Sequence, residues 1–390
     1  MPTYSVLRDL SRPVTAGPFE AGIAGPADLT PSEPRVEVAA LSRAEVLAVS
    51  RDPEVRAVAP VMPTVLIQPI DVAEAEAATT AWGVTAVGAD TSARTGAGVT
   101  VALLDTGIDA DHAAFAGMTL VEEDFSGSGI GDKQGHGTHC AGTVFGRDVD
   151  GTRIGIARGV QRALIGKVLG DDGRGNSDMI FTGIQWAVQQ GAQVISMSLG
   201  FDFPGLVQRL ADGGWPVDLA TSAALEAYRA NLRMFDALMQ MVRSRDAFGA
   251  GTLVVAAAGN ESRRNVNPDY EIAVSLPAAA DGVVSVGAAE QSAGGLKIAR
   301  FSNTFPQISG PGVNVLSAKA GGGLRSLSGT SMATPHAAGV AALWWEEVQA
   351  SPLPANRAAV TAKMLANAAV DGFAPDVDVA DRGLGLVRSP

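Results

Sequence analysis

Strand-length runs of apolar residues alternate with longer amphipathic stretches along most of the chain. Val99–Leu104 and Leu253–Ala257 are apolar and rich in β-branched or small residues, and Val194–Ile195 begins a shorter run. Strands buried on both faces of a parallel sheet have this composition. Leu219–Phe248 carries apolar residues at helical spacing, and Val340–Val348 is also apolar. The pattern predicts an α/β fold with a mostly parallel sheet and helices on both faces.

The first 76 residues are organised differently and predict a small α+β domain. Val36–Ala40, Val55–Val58 and Val65–Ile67 have the composition of strands. Ser42 and Glu45 have the spacing of a capping box, which predicts a helix that ends near Asp52. Prolines recur through residues 10–34, so this stretch predicts a loop. We therefore expect an N-terminal domain over residues 1–76, followed by a larger domain over residues 77–390.

Composition and charge narrow the function classes. The chain has 390 residues, of which 46% are hydrophobic and 18% are charged, as expected for one large core with a small addition. A net charge of −12 argues against nucleic acid as a partner, and a single cysteine excludes an internal disulfide framework. No apolar run has the roughly 20 residues of a membrane span. The first residues lack the pattern of a secretory signal, which predicts a cytoplasmic protein, or a secreted one if a leader is missing from this sequence.

Four short segments carry candidate chemistry. Ser331 lies between a predicted tight turn at Gly329 and the first turn of an apolar helix, whose unpaired N–H groups and dipole favour a developing negative charge. Asp105 ends a predicted strand, at the edge of the sheet where α/β proteins place their sites. His136 lies in a segment of small residues, and Asn260 follows another predicted strand with a side-chain amide. Each residue alone also has an ordinary structural explanation, as a turn former, a buried histidine or a helix cap.

Their order along the chain, Asp105, His136, Asn260 and Ser331, resembles that of the subtilisin-like serine proteases, the subtilases of peptidase family S8. The resemblance covers roughly residues 80 to 390 and implies a serine endopeptidase with a three-layer α/β fold. It implies that Ser331 attacks the scissile carbonyl, that His136 takes its proton and that Asp105 orients the imidazole. Asn260 and the Ser331 N–H would donate to the oxyanion. A folded but silenced or tightly regulated relative remains the alternative.

The resemblance also places a substrate groove. A peptide would bind as an added strand between two edges, residues 198–200 and residues 173–175, with residues 257–259 as the wall of the pocket that faces the first edge. Arg174, on the second edge, would either favour an acidic side chain upstream of the cut or be an ordinary solvated residue, and we favour the latter. Ser275 aligns weakly with the floor of the pocket. The implied groove residues are Ser198, Leu199 and Gly200; Ala257, Ala258 and Gly259; and Gly173, Arg174 and Gly175.

The remaining histidines and the cysteine predict packing rather than a metal site. His139 and His336 lack a third ligand residue at suitable spacing, so we expect both to be packed and hydrogen-bonded, and His112 to lie in a loop. Cys140 follows His136 by one helical turn, which resembles the proteinase K branch of the family and places the thiol beneath the imidazole. A small buried hydrophobe is its expected role.

The N-terminal region resembles the inhibitory propeptide of subtilases, with a plain extension as the alternative. A propeptide would be an intramolecular inhibitor, and self-cleavage is then expected within residues 68–80. Residues 201–218, rich in glycine and proline, predict an insertion beside the groove that either restricts substrate access or elaborates the surface. At the C-terminus a helix is expected over residues 357–369 and a closing strand over residues 382–387.

No cofactor is expected, and calcium is doubtful. The family's strongest calcium site uses an aspartate and a glutamine where this chain has Ala114 and Ala78, although Asp148 and Asp150 occupy the matching loop. A different weak site stays open. The resulting hypothesis is a serine endopeptidase that acts on proteins or peptides, needs neither nucleic acid nor membrane, and is made as a self-inhibited zymogen. The alternatives are a regulatory module whose groove stays occupied, and an esterase or peptide ligase.

Overall fold

The computed structural model describes residues 1–10, 33–71, 79–249, 251–352 and 354–390. Its strands are β1 Thr3–Asp9, β2 Pro34–Ala40, β3 Val55–Pro60, β4 Pro63–Leu66, β5 Ile70–Asp71, β6 Thr100–Asp105, β7 Thr119–Asp124, β8 Arg162–Lys167, β9 Arg174–Asn176, β10 Val194–Met197, β11 Leu199–Phe201, β12 Leu253–Ala257, β13 Val283–Ser292, β14 Gly295–Ile298, β15 Ile308–Pro311, β16 Val315–Ala318 and β17 Leu324–Ser328.

The helices are distributed over the whole chain. They are α1 Arg43–Val49, α2 Trp82–Ala86, α3 His136–Phe145, α4 Ser177–Gln189, α5 Phe203–Asp212, α6 Val217–Ser244, α7 Thr330–Gln349, α8 Arg357–Ala366 and α9 Val379–Arg382, with 3-10 turns at Ala113–Phe115 and Arg245–Phe248. Among the helices in the described ranges, none combines the length and the apolar character that a membrane crossing requires.

A central sheet of the described residues organises the larger domain. Its strand order is β14-β13-β12-β10-β6-β8-β7, and β15 also pairs with β13. All neighbouring pairs are parallel except β13 with β14 at one edge. In register, Val194 of β10 lies between Val101 of β6 and Leu253 of β12. The carboxyl ends of these three strands therefore meet at one edge of the sheet, as the apolar runs predicted.

Helices cover both faces of this sheet. On β6, Leu103 belongs to one hydrophobic core and Leu104 to the other, because successive side chains of a strand point to opposite faces. The first core includes Cys140 of α3 and Leu343 of α7, and the second includes Phe235 of α6. The three-layer α/β fold predicted from the sequence is confirmed.

The N-terminal region folds as a three-stranded antiparallel sheet in the order β2-β1-β3, with α1 beside it. The predicted capping box is present, since Ser42 Oγ accepts from Glu45 N and the Glu45 carboxylate accepts from Ser42 N. Strand β1 at the centre was not predicted. Its Leu7 is fully buried in the core that also contains α4 and α6. The loop predicted over residues 10–34 lies mostly outside the described residues.

Polar contacts join this N-terminal region to the helices below it. Val36 N donates to Gln185 Oε1 of α4 at 2.6 Å, and Asn231 Nδ2 of α6 donates to Pro60 O at 2.9 Å. Asn231 is fully buried. Its Nδ2 also donates to Ala227 O of α6 at 2.9 Å, so this amide links the end of β3 to the helix.

The predicted insertion is partly helical, and two predictions for the C-terminal residues need correction. The stretch 201–218, predicted as an insertion beside the groove, contributes α5, which packs on α6. Asp202 caps this helix by accepting from Gly205 N at 2.8 Å, and Pro204 stands at its start. The closing strand predicted over 382–387 is reduced to isolated bridges of Leu386, because Gly383 and Gly385 have φ of 61° and 129°, outside the extended range. The preceding helix, α8, ends at Ala366, three residues early.

Candidate active site

Asp105 and His136 are joined at the carboxyl edge of the sheet. Asp105 is the last residue of β6 and His136 the first of α3, and His136 Nδ1 lies 2.8 Å from Asp105 Oδ1. Both side chains are fully buried. The same oxygen of Asp105 accepts from Thr106 N at 2.8 Å. Because Nδ1 faces the carboxylate, Nε2 is the ring nitrogen left to exchange a proton with a reacting group.

The environment of His136 favours its charged form. Burial alone lowers the pKa of His136, but the adjacent Asp105 carboxylate outweighs this and raises the pKa well above its usual value. Cys140 lies one turn further along α3, with Sγ 3.7 Å from His136 Nδ1 and 3.4 Å from Ser331 O. Burial raises the pKa of the Cys140 thiol, so it stays protonated. The predicted place of this cysteine beneath the imidazole is confirmed.

Asp132 is a site residue that the sequence analysis missed. Its Oδ1 accepts from Thr106 Oγ1 at 2.9 Å and from Gly135 N at 2.7 Å, and its Oδ2 accepts from Thr138 N and Oγ1 at 2.8 and 2.7 Å. It thereby ties the turn after β6 to the first turn of α3. A carboxylate is also favourable at a helix N-terminus. Asp132 fixes the separation of Asp105 and His136, and only its place three residues before Gly135 hints at such a role.

A glycine allows α3 to approach the turn after β6. A Cβ on Gly137 would collide with the carbonyl oxygen of Gly107. No other residue type fits at this position without moving the helix away from the strand end. Gly137 is thus explained by the close approach of α3 to this turn.

Ser331 is the second residue of α7 and is fully buried. Its Oγ lies 3.3 Å from Ile67 O and 3.3 Å from Ser198 O. Among the residues that the structure describes, no hydrogen bond joins Ser331 to His136. The preceding Gly329 is extended, with φ of 161°, rather than part of a tight turn. A Cβ there would come within 3.1 Å of Asn260 Nδ2, so glycine keeps that amide accessible.

Asn260 is held by the residue before the serine. Asn260 Oδ1 accepts from Thr330 N and from Thr330 Oγ1, both at 2.9 Å. Thr330 Oγ1 in turn accepts from Gly259 N at 3.2 Å. With Oδ1 occupied in this way, the Nδ2 amide group points into the groove, where it donates to Gln68 O at 3.1 Å. Thr330 is a second positioning residue that the sequence analysis did not single out.

The chain's own strand β4 lies in the groove that was predicted for substrate. It pairs antiparallel with β11 on one side and β9 on the other, so that Val65 faces Gly200 and Arg174. Leu66 N also donates to Gly173 O at 2.8 Å. The predicted edges 173–175 and 198–200 therefore do flank an extended peptide, as in strand addition. The Arg174 side chain is exposed, in keeping with the solvated alternative.

The pocket wall predicted from Ala257, Ala258 and Gly259 follows the end of β12. Ser275 N donates to Ala258 O at 3.2 Å, which places Ser275 beside this wall as the weak alignment suggested. On the opposite edge, a Cβ at Gly200 would meet the Ile67 side chain at 3.4 Å. The Ile67 side chain is only 4% exposed. Ile67 therefore occupies the space between the two edges of the pocket.

The N-terminal segment continues past the serine. Ile70 pairs with Ser328 of β17, three residues before Ser331. The chain thus runs through the groove on both sides of the candidate nucleophile, from β4 to β5.

The other histidines have structural roles. His139 Nε2 lies 3.0 Å from Val315 O, and burial lowers the pKa of His139 to about 3. His336 Nδ1 lies 2.8 Å from Met332 O, and burial lowers the pKa of His336 to about 4. Both are packed and hydrogen-bonded as predicted. His112 caps the 3-10 turn that follows it, since its Nδ1 accepts from Ala114 N at 3.1 Å.

Within the described residues, potential metal-ligating side chains come together at one place. The one cluster of three is Asp105, His136 and Cys140, which is the candidate active site itself. Ala114 is buried and offers no side-chain oxygen at the family's calcium position. Ala78 lies outside the described residues. Asp148 forms an exposed ion pair with Arg158 at 3.5 Å.

Comparisons with known proteins agree with this geometry. A profile of the subtilase family matches residues 96–385. The chain is 33% identical over 312 residues to the thermostable alkaline protease of Halalkalibacterium halodurans, an alignment that covers 78% of this chain and 71% of that protein. It is 30% identical over 290 residues to subtilisin-like protease 5 of Trichophyton verrucosum and of Arthroderma benhamiae, covering 72% of this chain and 60% of each relative.

These matches show that the chain is a serine-type peptidase, a hydrolase of peptide bonds. More particularly, the chain belongs to the subtilase family, as the order of its motifs predicted. The match begins at residue 96, so the N-terminal region that fills the groove lies outside the family profile.

Proposed function

We propose that this chain is a serine endopeptidase made as a self-inhibited zymogen, with the N-terminal region as its intramolecular inhibitor. One observation carries the proposal: β4 and the residues after it lie in the groove as an extended peptide, with Ile67 O at the Ser331 hydroxyl and Gln68 O at the Asn260 amide. A peptide substrate would use the same strand pairing and the same donors.

The proposed mechanism follows from two hydrogen-bonded pairs, His136 with Asp105 and Asn260 with Thr330. When the groove is free of the N-terminal segment, Ser331 Oγ attacks the scissile carbonyl carbon while His136 Nε2 takes the hydroxyl proton. Asp105 stabilises the imidazolium through Nδ1. Asn260 Nδ2 and the Ser331 N–H donate to the oxyanion. The C–N bond then breaks, His136 returns the proton to the leaving amine, and water hydrolyses the acyl-enzyme by the same steps.

The magnitudes expected of these groups are large. In subtilisin, a member of the same family, loss of the serine or histidine lowers turnover about a million-fold. One oxyanion donor is worth about 3–4 kcal/mol of barrier in such a site. A Ser331→Ala or His136→Ala variant should therefore be inactive in any practical assay.

Self-cleavage is proposed at the Ile67–Gln68 bond. Ile67 fills the pocket beside Gly200, and its carbonyl is the one that faces Ser331 Oγ. This bond lies immediately before the interval 68–80 expected from the sequence. Removal of residues 1–67 would leave a chain that begins at Gln68.

A specific observation favours a second candidate, a module whose groove stays occupied. The serine hydroxyl and the oxyanion amide contact two successive carbonyls, those of Ile67 and Gln68, whereas acyl transfer needs one carbonyl at both. The next peptide bond along the chain, after Gln68, joins Gln68 to the ring nitrogen of Pro69. The N-terminal segment would have to move by one residue along the groove to place a single carbonyl at both Ser331 and Asn260.

Intact mass decides between these candidates. Wild type, Ser331→Ala and Ser326→Ala are incubated and measured; Ser326 lies on β17 near the site and its hydroxyl has no partner among the described residues. Loss of residues 1–67 from wild type and Ser326→Ala, but not from Ser331→Ala, supports the zymogen. Full-length masses throughout, with no labelling of Ser331 by a fluorophosphonate, would support the permanently occupied module. Labelling without cleavage would indicate an active peptidase with a permanent extension.

A further inference from the structure

A buried lysine lies one strand away from the candidate active site. Lys167 is the last residue of β8 and is only 2% exposed. In the parallel pair of β8 and β6, Lys167 lies opposite Asp105. Both side chains therefore lie on the face of the sheet that α3 covers. Burial of a cation is costly unless it is paired and hydrogen-bonded, and the mechanism proposed above gives this ammonium group no part.

The partners of Lys167 surround a single residue of the loop before α3. Lys167 Nζ donates to Gly131 O at 2.9 Å and to Asp171 Oδ1 at 2.6 Å. Asp171 Oδ2 accepts from Lys133 Nζ at 2.8 Å. The hydrogen bonds from the two lysines lower the pKa of Asp171, so its carboxylate stays ionised. Gly131 and Lys133 flank Asp132, and both neighbours of Asp132 are thereby tied to the end of β8.

The loop between β7 and α3 depends on such contacts for its shape. Four of its glycines have a positive φ, between 76° and 88°; they are Gly127, Gly129, Gly131 and Gly135. Glycine backbone loses more conformational freedom on folding than that of any other residue. Among the residues that the structure describes, no backbone–backbone hydrogen bond involves residues 126–134. Side chains therefore fix this loop, with Asp124 accepting from Gly129 N at 2.7 Å and Lys167 holding the next turn.

The carbonyl that Lys167 holds packs directly on the turn after β6. A Cβ at Gly107 would come within 2.2 Å of Gly131 O and 3.4 Å of Lys167 Cδ. On its other side, the Gly107 carbonyl is the group that a Cβ at Gly137 of α3 would strike. The loop, the turn and the helix are therefore stacked without spare room. A displacement of Gly131 would be passed on to the turn and to α3.

We propose that Lys167 is a positioning residue for the Asp105–His136 pair. Its ammonium group holds the loop at Gly131 O, and the loop then delivers Asp132 to the contacts that join the turn after β6 to α3. Lys167 itself touches no reacting atom. That the pair is catalytic rests on the proposed function, whereas the effect of Lys167 on the geometry of the pair does not.

The first test needs no activity and uses the full chain with Ser331→Ala. The ring signals of the histidines are titrated by NMR, and the signal of His136 is identified by its loss in His136→Gln. Lys167→Met keeps the length of the side chain and removes its charge. If Lys167 positions Asp105, this variant weakens the contact of Asp105 with the imidazole and lowers the pKa of His136.

The sign of this change separates positioning from simple electrostatics. Removal of a nearby positive charge would by itself raise the pKa of His136, because the protonated imidazole would meet less repulsion. A lower pKa in Lys167→Met therefore requires a displaced carboxylate. An unchanged or raised pKa would overturn the proposal.

The second test measures kcat and KM of the processed enzyme for one quenched peptide, Thr-Val-Leu-Ile-Gln-Ala-Ile. Lys167→Met should lower kcat about tenfold with little change in KM, since a misplacement of 1 Å costs up to about 100-fold. Asp171→Asn, a change at a partly exposed position, should lower kcat about threefold, and it serves also if Lys167→Met does not fold. Lys133→Met removes an exposed ion pair and should change kcat less than about twofold. Wild-type kcat in a folded Lys167→Met or Asp171→Asn variant would overturn the proposal.

A matched control removes another partly buried cation at the opposite end of the sheet. Arg357 pairs with Asp246 at 2.9 Å beside Gly251, which precedes β12. Arg357→Met should lower Tm but preserve kcat and the pKa of His136. If it changed them as Lys167→Met does, the effect of Lys167 would be one of general stability and the proposal would fail.

A double variant tests the route through Asp132. In an Asp132→Asn background, Lys167→Met should lower kcat less than about twofold further, because residues that act through one another are not additive. A full additional tenfold loss would overturn this route. If no peptide is cut and Ser331 resists a fluorophosphonate, the proposed function fails and the pKa of His136 alone decides the inference. If the peptide is cut equally well by wild type and Lys167→Met, only the inference fails.

Discussion

Thr330 is the residue through which the oxyanion amide can be tested without removing it. Its hydroxyl donates to Asn260 Oδ1 at 2.9 Å and accepts from Gly259 N at 3.2 Å, and the residue is fully buried. Thr330→Val keeps the shape and deletes both contacts. Asn260 then keeps one anchor, the Thr330 backbone N–H, and its amide is free to swing.

The size of the effect follows from these contacts. One lost hydrogen bond between uncharged groups is worth about 1 kcal/mol, and an unpaired buried N–H adds about 1–3 kcal/mol to the cost in stability. If about 1.4 kcal/mol of the Asn260 contribution is lost, kcat falls about tenfold. The ceiling is the roughly 100- to 1,000-fold loss expected when the donor itself is removed.

The assay compares kcat and KM of the processed enzyme for one peptide. Thr330→Val should lower kcat about tenfold with little change in KM, because the oxyanion exists only in the transition state. Thr330→Ser should restore kcat. The matched control is Thr334→Val, one turn further along α7, where the buried hydroxyl donates only to Thr330 O.

Two results would refute this reasoning. Equal kcat for Thr330→Val and Thr334→Val would show that the hydroxyl does not position the amide. A loss that adds fully to that of Asn260→Ala in the double variant would show that Thr330 acts elsewhere, since a residue acting through Asn260 has no effect once Asn260 is gone.

Further predictions concern the His136–Asp105 pair, Cys140 and calcium. Asp105 raises the pKa of His136, and only the neutral imidazole accepts the serine proton, so kcat/KM should rise with pH and reach half its maximum above the usual histidine pKa of about 6.5. A midpoint at or below that pKa would contradict this prediction. Asp105→Asn should lower kcat about ten-thousand-fold. Cys140, whose pKa burial raises, should resist iodoacetamide in the native protein and react once unfolded, and rapid native labelling would contradict its burial. Since Ala114 offers no oxygen to calcium, a chelator should change Tm by less than about 2 °C, the shift that a bound ion's loss would exceed in a differential scan.

The parallel sheet and the four candidate site residues could be predicted because local signals agree with the tertiary structure there. The run before Asp105 is apolar throughout because both faces of β6 are buried, and such strands carry an unmistakable composition. Ser42 and Glu45 predicted the start of a helix because a capping box depends only on residues three positions apart in the sequence.

Other features depend on contacts between distant parts of the chain. Strand β1 was missed because its sequence mixes polar and apolar residues, and the burial of Leu7 depends on the core that α4 and α6 build. The roles of Asp132 and Thr330 arise from side chains that meet across loops, which no spacing rule encodes. The glycines and prolines of 201–218 gave no sign of a helix, yet Pro204 and Gly205 stand in the first turn of α5, where Asp202 caps the helix and neither residue disrupts it.

The position of β4 has a consequence for the order of events during synthesis. The strand that fills the groove is separated from the nucleophile by a long stretch, since Ile67 and Ser331 lie 264 positions apart. At about 5–20 residues per second, a ribosome completes Ile67 roughly 13–50 s before it reaches Ser331. In the proposed zymogen, the inhibitory strand is therefore synthesised before the nucleophile, so a chain that has just acquired Ser331 already carries the segment that fills its groove.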